Sequence, residues 1–350
     1  MLSTDRLLNE KMTDPAGHPA ETVYIPRFLL SDVIDGAEEI PHPAFVVKDR
    51  VLDGICVAKY QCSLDGGVAV SVRGVDPAVG ITFDGASAAC QARGAGWHLM
   101  TAAEWGALAL LSLKSGHLPR GNNMLGYDVH EKERTARISY CDEEGGVCRV
   151  ATGTGPLTWS HNGGADGVWD LNGNVWEWMG GIRLVYGELQ LLSENCGVDA
   201  VDASADSPLW RAIDGETGRE LVPSGDGKTK GSVKLDFRNG VWTYTGGDVT
   251  SACEKARFCD FKDVTVSEEI TSRVRTYLTA LGLLPTGDRS LYDGVALYAI
   301  NGKGERMLFR GGRWGQAENA GVFKNCLDDP RTYAGAAVGF RAAYCEIRRN

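Results

Sequence analysis

The chain has 350 residues, 43% of them hydrophobic and 23% charged, which is enough to bury a core and too apolar for a disordered or fibrous protein. A formal charge of −10 leaves no basic stripe for a phosphate backbone, so nucleic acid is not an expected partner. No run approaches the roughly 18 apolar residues of a membrane helix, and MLSTDRLLNEKMTDPAGHPAE carries charges where a signal peptide needs its apolar run; synthesis in the cytoplasm and no membrane insertion are expected.

Glycine contributes 45 residues, about twice its usual share, which predicts a loop-rich α+β protein and argues against a helical bundle. Residues 1–50, Pro-rich and polar in places with an extended stretch ETVYIPRFLLSDVI, read as an N-terminal arm that packs on the core or on a partner, an attachment or oligomerisation element. GICVAKYQCS alternates as a half-buried strand does. TFDGASAACQARGAGWHLM reads as a short alanine-rich helix, a glycine stop and a strand from near Trp97. Thr101 followed by Glu104 is a capping box, and it predicts a helix over 102–114 with Trp105, Leu108, Leu111 and Ser112 along one packed side. Between about residues 183 and 298 the pattern loosens into polar turns and one modest helix candidate, VSEEITSRVRTYLTALG, and reads as an insertion.

Ten cysteines contain no Cys-x-x-Cys pair and the six histidines are scattered, so no zinc site is expected. Cys141 and Cys148 bracket a turn-like CDEEGGVC, and Cys253 and Cys259 are also close, so either pair could oxidise after release from the cell; in a reducing cytoplasm free thiols are the expected state.

WDLNGNVWEW, Trp169 to Trp178, has Asp and Asn residues suited to Asx turns, a glycine suited to positive φ, and three tryptophans that fill a core where regular strands are few. Trp169, Asn174, Trp176 and Trp178 therefore read as structural frame. Asp170, Asn174 and Glu177 also offer hard oxygen ligands for a structural cation, although turn capping explains them more simply. Arg310 to Arg341, RGGRWGQAENAGVFKNCLDDPRTYAGAAVGFR, mixes two classes of residue. Trp314, Phe323 and Phe340 look packed, whereas Arg313, Gln316, Glu318, Lys324, Cys326, Asp328, Asp329 and Tyr333 look arbitrary. Arg310 and Arg341 read as structural, in ion pairs or hydrogen bonds to carbonyls.

Together with GWHLMTAAEW upstream, and RGGRW followed by VGFRAAY downstream, this motif resembles the formylglycine-generating enzyme (sulfatase-modifying factor) branch of the C-type lectin fold. The resemblance covers 51–183 and 291–347, and implies a C-type lectin-like domain over 51–347 with the insertion inside it. Enzymes of that branch hold copper on a cysteine pair between the Gly-Gly-x-Trp and Gly-Phe-Arg segments. Here the interval contains only Cys326, and Cys345 lies beyond Arg341, so no catalytic role and no cofactor are expected; a copper oxidase or a degenerate non-catalytic relative is the alternative.

The same motifs resemble variable proteins diversified by a retroelement, whose C-terminal cassette runs from Gly-Gly-x-Trp through Asn-Ala-Gly-Val-Phe to Ile-Gly-Phe-Arg. That resemblance implies that adenines of template asparagine codons are randomised. Arg313, Gly315, Cys326, Asp328, Asp329, Tyr333, Gly335, Ala336 and Ala337 are reachable from such a codon; Gln316, Glu318 and Lys324 are not, and derive from other codons or are fixed. The implied ligand-binding surface comprises these residues with Asn319 and Thr332, on a frame completed by Trp314, Phe323, Phe340 and Arg341. The implied ligand is a protein or glycan receptor on a target cell. The expected setting is a phage tail adhesin on the virion, or else a bacterial surface protein, joined to a virion partner or a second copy through the arm.

Overall fold

The computed structural model describes residues 8–131, 134–199 and 201–346. The residues named above that fall outside this set are 1–7 of the expected arm and Ile347 at the end of the expected domain.

Of the two packings expected for the N-terminal arm, residues 8–50 show the one on the core. Asn9–Thr13 and Pro19–Pro26 are the first two strands of a five-stranded antiparallel sheet that continues through Gly54–Ala58, Ala342–Tyr344 and Trp97–Leu99. The cause is visible in VYIPRFLL: Val23, Ile25 and Phe28 are buried against Phe45 and Ile55 in the main core, apolar area thereby taken out of water. The C-terminal strand lies between strands from the first hundred residues, so the two ends of the domain are woven together.

A second sheet of twelve strands runs, in its main path, through Arg257–Asp260, Ala296–Ala299, Gly321–Leu327, Glu305–Gly311, Trp176–Val185, Glu188–Leu192, Lys234–Arg238, Val241–Thr245 and Thr265–Val266. The segment read as an insertion supplies strands to both flanks of this sheet, and Tyr244, Phe261 and Tyr292 join the same core as Trp105 and Phe323. Its expected helix forms over Ser272–Ala280.

The helix over Ala102–Lys114 forms as the capping box predicts, with the Glu104 amide donating to the Thr101 hydroxyl and the Thr101 amide to Glu104 Oε2 at 2.7 Å. Trp105 reaches across the core and its indole N–H donates to the Val322 carbonyl at 2.7 Å. Gly106 sits where the carbonyl of Ala280 presses against the helix, and a Cβ there would collide with it; the glycine is what lets the two helices meet. The alanine-rich helix spans Phe83–Gln91 with Thr82 as its cap.

Cys141 and Cys148 are joined by a disulfide across the paired strands Ile138–Cys141 and Cys148–Val150, which corrects the expectation of free thiols: antiparallel pairing sets the two cysteines directly opposite each other.

Candidate binding face

The frame residues behave as packing predicts. Trp169, Trp176, Trp178, Trp314, Phe323 and Phe340 are all buried, as are Asn174 and Arg341. Trp178 meets Phe309 edge-on with centroids 5.1 Å apart, and the Trp314 indole donates to the Gly146 carbonyl at 3.1 Å, tying the start of the cassette to the disulfide-closed hairpin.

Arg341 is the hub behind the face. It donates to both oxygens of Glu177 at 2.8 Å and to the carbonyls of Ala58 and Trp169. Asn174, with φ of 62°, accepts from the Val150 amide and donates to Gln61 Oε1 and the Val150 carbonyl. Asp170 accepts from the Gly153 amide at 2.8 Å, and burial raises its carboxyl to about 6. Of the oxygens suggested as cation ligands, those of Glu177 are neutralised by Arg341 and that of Asn174 cross-links loops, while Asp170 Oδ1 has no hydrogen-bond partner among the described residues. Among the described residues, no group of three or more His, Cys, Asp or Glu is placed to hold a metal ion. Arg310 is also buried, and its guanidinium donates to the Leu281 and Gly282 carbonyls; burial lowers it to about 9.

The assorted residues split into two loops and one strand. In the loop over 313–319, Gly315, Glu318 and Asn319 are exposed while Arg313 and Gln316 are half-buried. In the loop over 328–337, Thr332, Tyr333 and Ala336 are exposed, with Asp328, Asp329, Gly335 and Ala337 half-buried. At Tyr333 partial burial raises the phenol, Asp329 and Asp328 raise it further, and Arg313 acts in the opposite sense. Burial, with Asp328 beside it, holds the Asp329 carboxyl up at about 6.

Lys324 and Cys326, expected on the exposed face, are buried. They lie on Gly321–Leu327, an inner strand flanked by Ala296–Ala299 and Glu305–Gly311, and every residue of it is covered. The Cys326 thiol donates to Asp328 Oδ1 at 2.9 Å, and burial raises its pKa well above the ordinary thiol value. Lys324 Nζ has no hydrogen-bond partner among the described residues; it lies 4.3 Å from the Tyr298 ring centroid and 5.7 Å from that of Trp176, and burial lowers it to about 8. A lysine absent from the reach of asparagine codons thus occupies a covered position, where free variation would be costly.

Three contributors were not read from the sequence. Arg331 pins the second loop, pairing with Glu305 Oε1 at 2.7 Å and Asp84 Oδ1 at 2.8 Å; nothing local distinguishes it from other surface arginines. Phe258 and Tyr298 come from the segment read as an insertion. Their only local signal is an aromatic in the short alternating runs RFCD and ALYA.

The family model described as the sulfatase-modifying factor enzyme 1-like domain matches residues 9–345, a span that takes in the strands formed within the expected arm and the whole of the expected insertion. Among solved structures, Treponema denticola variable protein 1 is similar over 96% of this chain and 99% of that one, at 12% identity and a TM-score of 0.39. No curated protein matches.

Proposed function

The chain belongs to the sulfatase-modifying factor enzyme 1-like domain family, with a C-type lectin-like α+β fold, and we propose that it is a ligand-binding member whose C-terminal cassette is diversified by a retroelement. One observation carries this reading. Within residues 310–341 the apolar frame packs together with Arg310, Lys324, Cys326 and Arg341, while Arg313, Glu318, Asp328, Asp329, Thr332 and Tyr333 lie on the two loops outside the sealed core. Loops held by packing behind them can change their outward residues at little cost to folding.

A binding role, without catalysis, is supported by the thiols. Cys326 is engaged by Asp328, whereas Cys345 lies in a separate small cluster with Val47 and Val198; two thiols so separated supply no dithiolate pair. A receptor on a target cell, reached from a phage tail or a bacterial surface, fits a face of mixed charge with an aromatic anchor. Several copies on one particle would multiply a modest single-site affinity.

The test is genetic. The flanking DNA is expected to contain a near-identical copy of the segment encoding 310–341, differing chiefly at adenines, beside a reverse transcriptase gene. A genome with neither would overturn the proposal.

A further inference from the structure

A row of paired positions crosses the large sheet: Phe258 opposite Tyr298, Tyr298 opposite Cys326, Cys326 opposite Phe309, and Phe309 opposite Trp178. Its Trp178 end is sealed in the core, whereas its other end opens to solvent, where Phe258 is 57% exposed. The Phe258 and Tyr298 rings are stacked, with centroids 5.1 Å apart and planes 20° from parallel. Lys324 supports this pair from within, its ammonium 4.3 Å from the centroid of the Tyr298 ring, a contact of the cation–π type. Tyr298 is paired with Cys326, whose thiol donates to Asp328 Oδ1 at 2.9 Å, so the ledge adjoins the second cassette loop. No cassette residue forms the ledge itself.

We propose that Phe258 and Tyr298 form a constant aromatic ledge beside the variable loops, and that it takes the ring of a neutral saccharide. The proposal rests on the reading of the cassette as a binding face and adds to it a ligand class and a fixed subsite. Charge decides the class. Asp328 and Asp329 lie beside Arg306, the Met307 amide donating to the Asp329 carbonyl at 2.9 Å, and Arg306 opposes the upward push of burial and Asp328 on the Asp329 carboxyl; Arg313, on the other loop, is half-buried as these three are. An anionic ligand meets the two carboxylates and a cationic one the two guanidinium groups, so neither gains a net attraction. A neutral ring dense in hydroxyls can donate to the carboxylates, accept from the guanidinium groups, and lay its C–H face on the aromatic pair. Variation at Asp328, Asp329, Tyr333 and Ala336 would then select which hydroxyl pattern is accepted, with the stacking contact unchanged.

The experiment uses the full chain and a panel of neutral oligosaccharides (maltotriose, lactose and chitobiose), with sialyllactose as the anionic comparison, read by saturation-transfer NMR and titration. At least one neutral sugar is expected to bind through its ring C–H protons and to lose affinity about tenfold in Phe258→Ser. Phe258 is exposed, so this variant is expected to stay folded by circular dichroism. Tyr298→Ser serves as a second variant. Binding of sialyllactose alone, of no sugar, or of a neutral sugar indifferent to Phe258→Ser would overturn the proposal. A protein partner lost in Tyr333→Ala but unaffected by Phe258→Ser and by every sugar would overturn the ledge and leave the cassette reading standing. Sugar binding lost in Phe258→Ser but unchanged in Asp328→Asn and Tyr333→Ala would do the reverse.

Discussion

Arg341 and Glu177 form a two-pronged ion pair, Nε to Oε2 and Nη2 to Oε1 each at 2.8 Å, with neither side chain reaching solvent. One residue ends the segment over 310–341 and the other lies in the tryptophan-rich motif 164 positions earlier, so the pair fastens that segment to the frame. Breaking one partner leaves the other charged and buried. Glu177→Gln or Arg341→Leu should therefore cost about 3–5 kcal/mol, read as a lower urea midpoint; a change under about 1 kcal/mol would contradict this role.

The division between frame and cargo predicts two separate distributions of mutational cost. Phe323→Ala and Trp314→Ala should each lose about 3–5 kcal/mol. Glu318→Gln, Thr332→Ala and Ala336→Ser should each stay within about 0.5 kcal/mol. Thermal and urea unfolding of the five variants would reveal overlap between the groups, which is the outcome the binding-face reading does not allow.

Lys324 makes stability depend on alkaline pH in a definite sense. Burial lowers its folded-state value to about 8 from 10.5, so between these values the unfolded chain holds more protons and the residue's contribution rises with pH. Below pH 8 the fold bears the full cost of the buried charge. Lys324→Met should thus be more stable by up to about 3 kcal/mol at neutral pH, with the advantage shrinking towards pH 10.5. Parallel pH profiles for the two proteins would rule out the buried charge as the cause.

Asp329 acts with the opposite pH sense. Its carboxyl is raised to about 6 from 3.8, by burial first and Asp328 second, so the native state keeps its proton longer and stability falls as pH rises between those values. Asp329→Asn should gain about 1 kcal/mol above pH 6, allowing for its partial exposure, and nothing below about pH 4. Denaturant midpoints at pH 4 and pH 7 check both limits.

Several elements follow from local rules alone. The Thr101–Glu104 box placed the helix over Ala102–Lys114 because capping involves groups only three residues apart. Trp169, Trp176, Trp178, Trp314 and Phe340 read as frame because large aromatics gain most from leaving water. The position of strands inside a sheet was not legible in this way. Lys324 and Cys326 look like surface residues in GVFKNCL, yet their strand lies between partners whose order depends on chain crossings far away.

The amino-acid sequence by itself determined which segments pack, where the capped helix runs, and that the residues between Trp314 and Phe340 are of two kinds. Only the tertiary structure decided which of them face out, brought Phe258 and Tyr298 beside them from a stretch that looked like an insertion, made strands of the expected arm, and set Cys141 opposite Cys148. The physical reason is range: hydrophobic pattern and capping act over one or two turns of chain, whereas exposure is a property of neighbours supplied by the whole sheet.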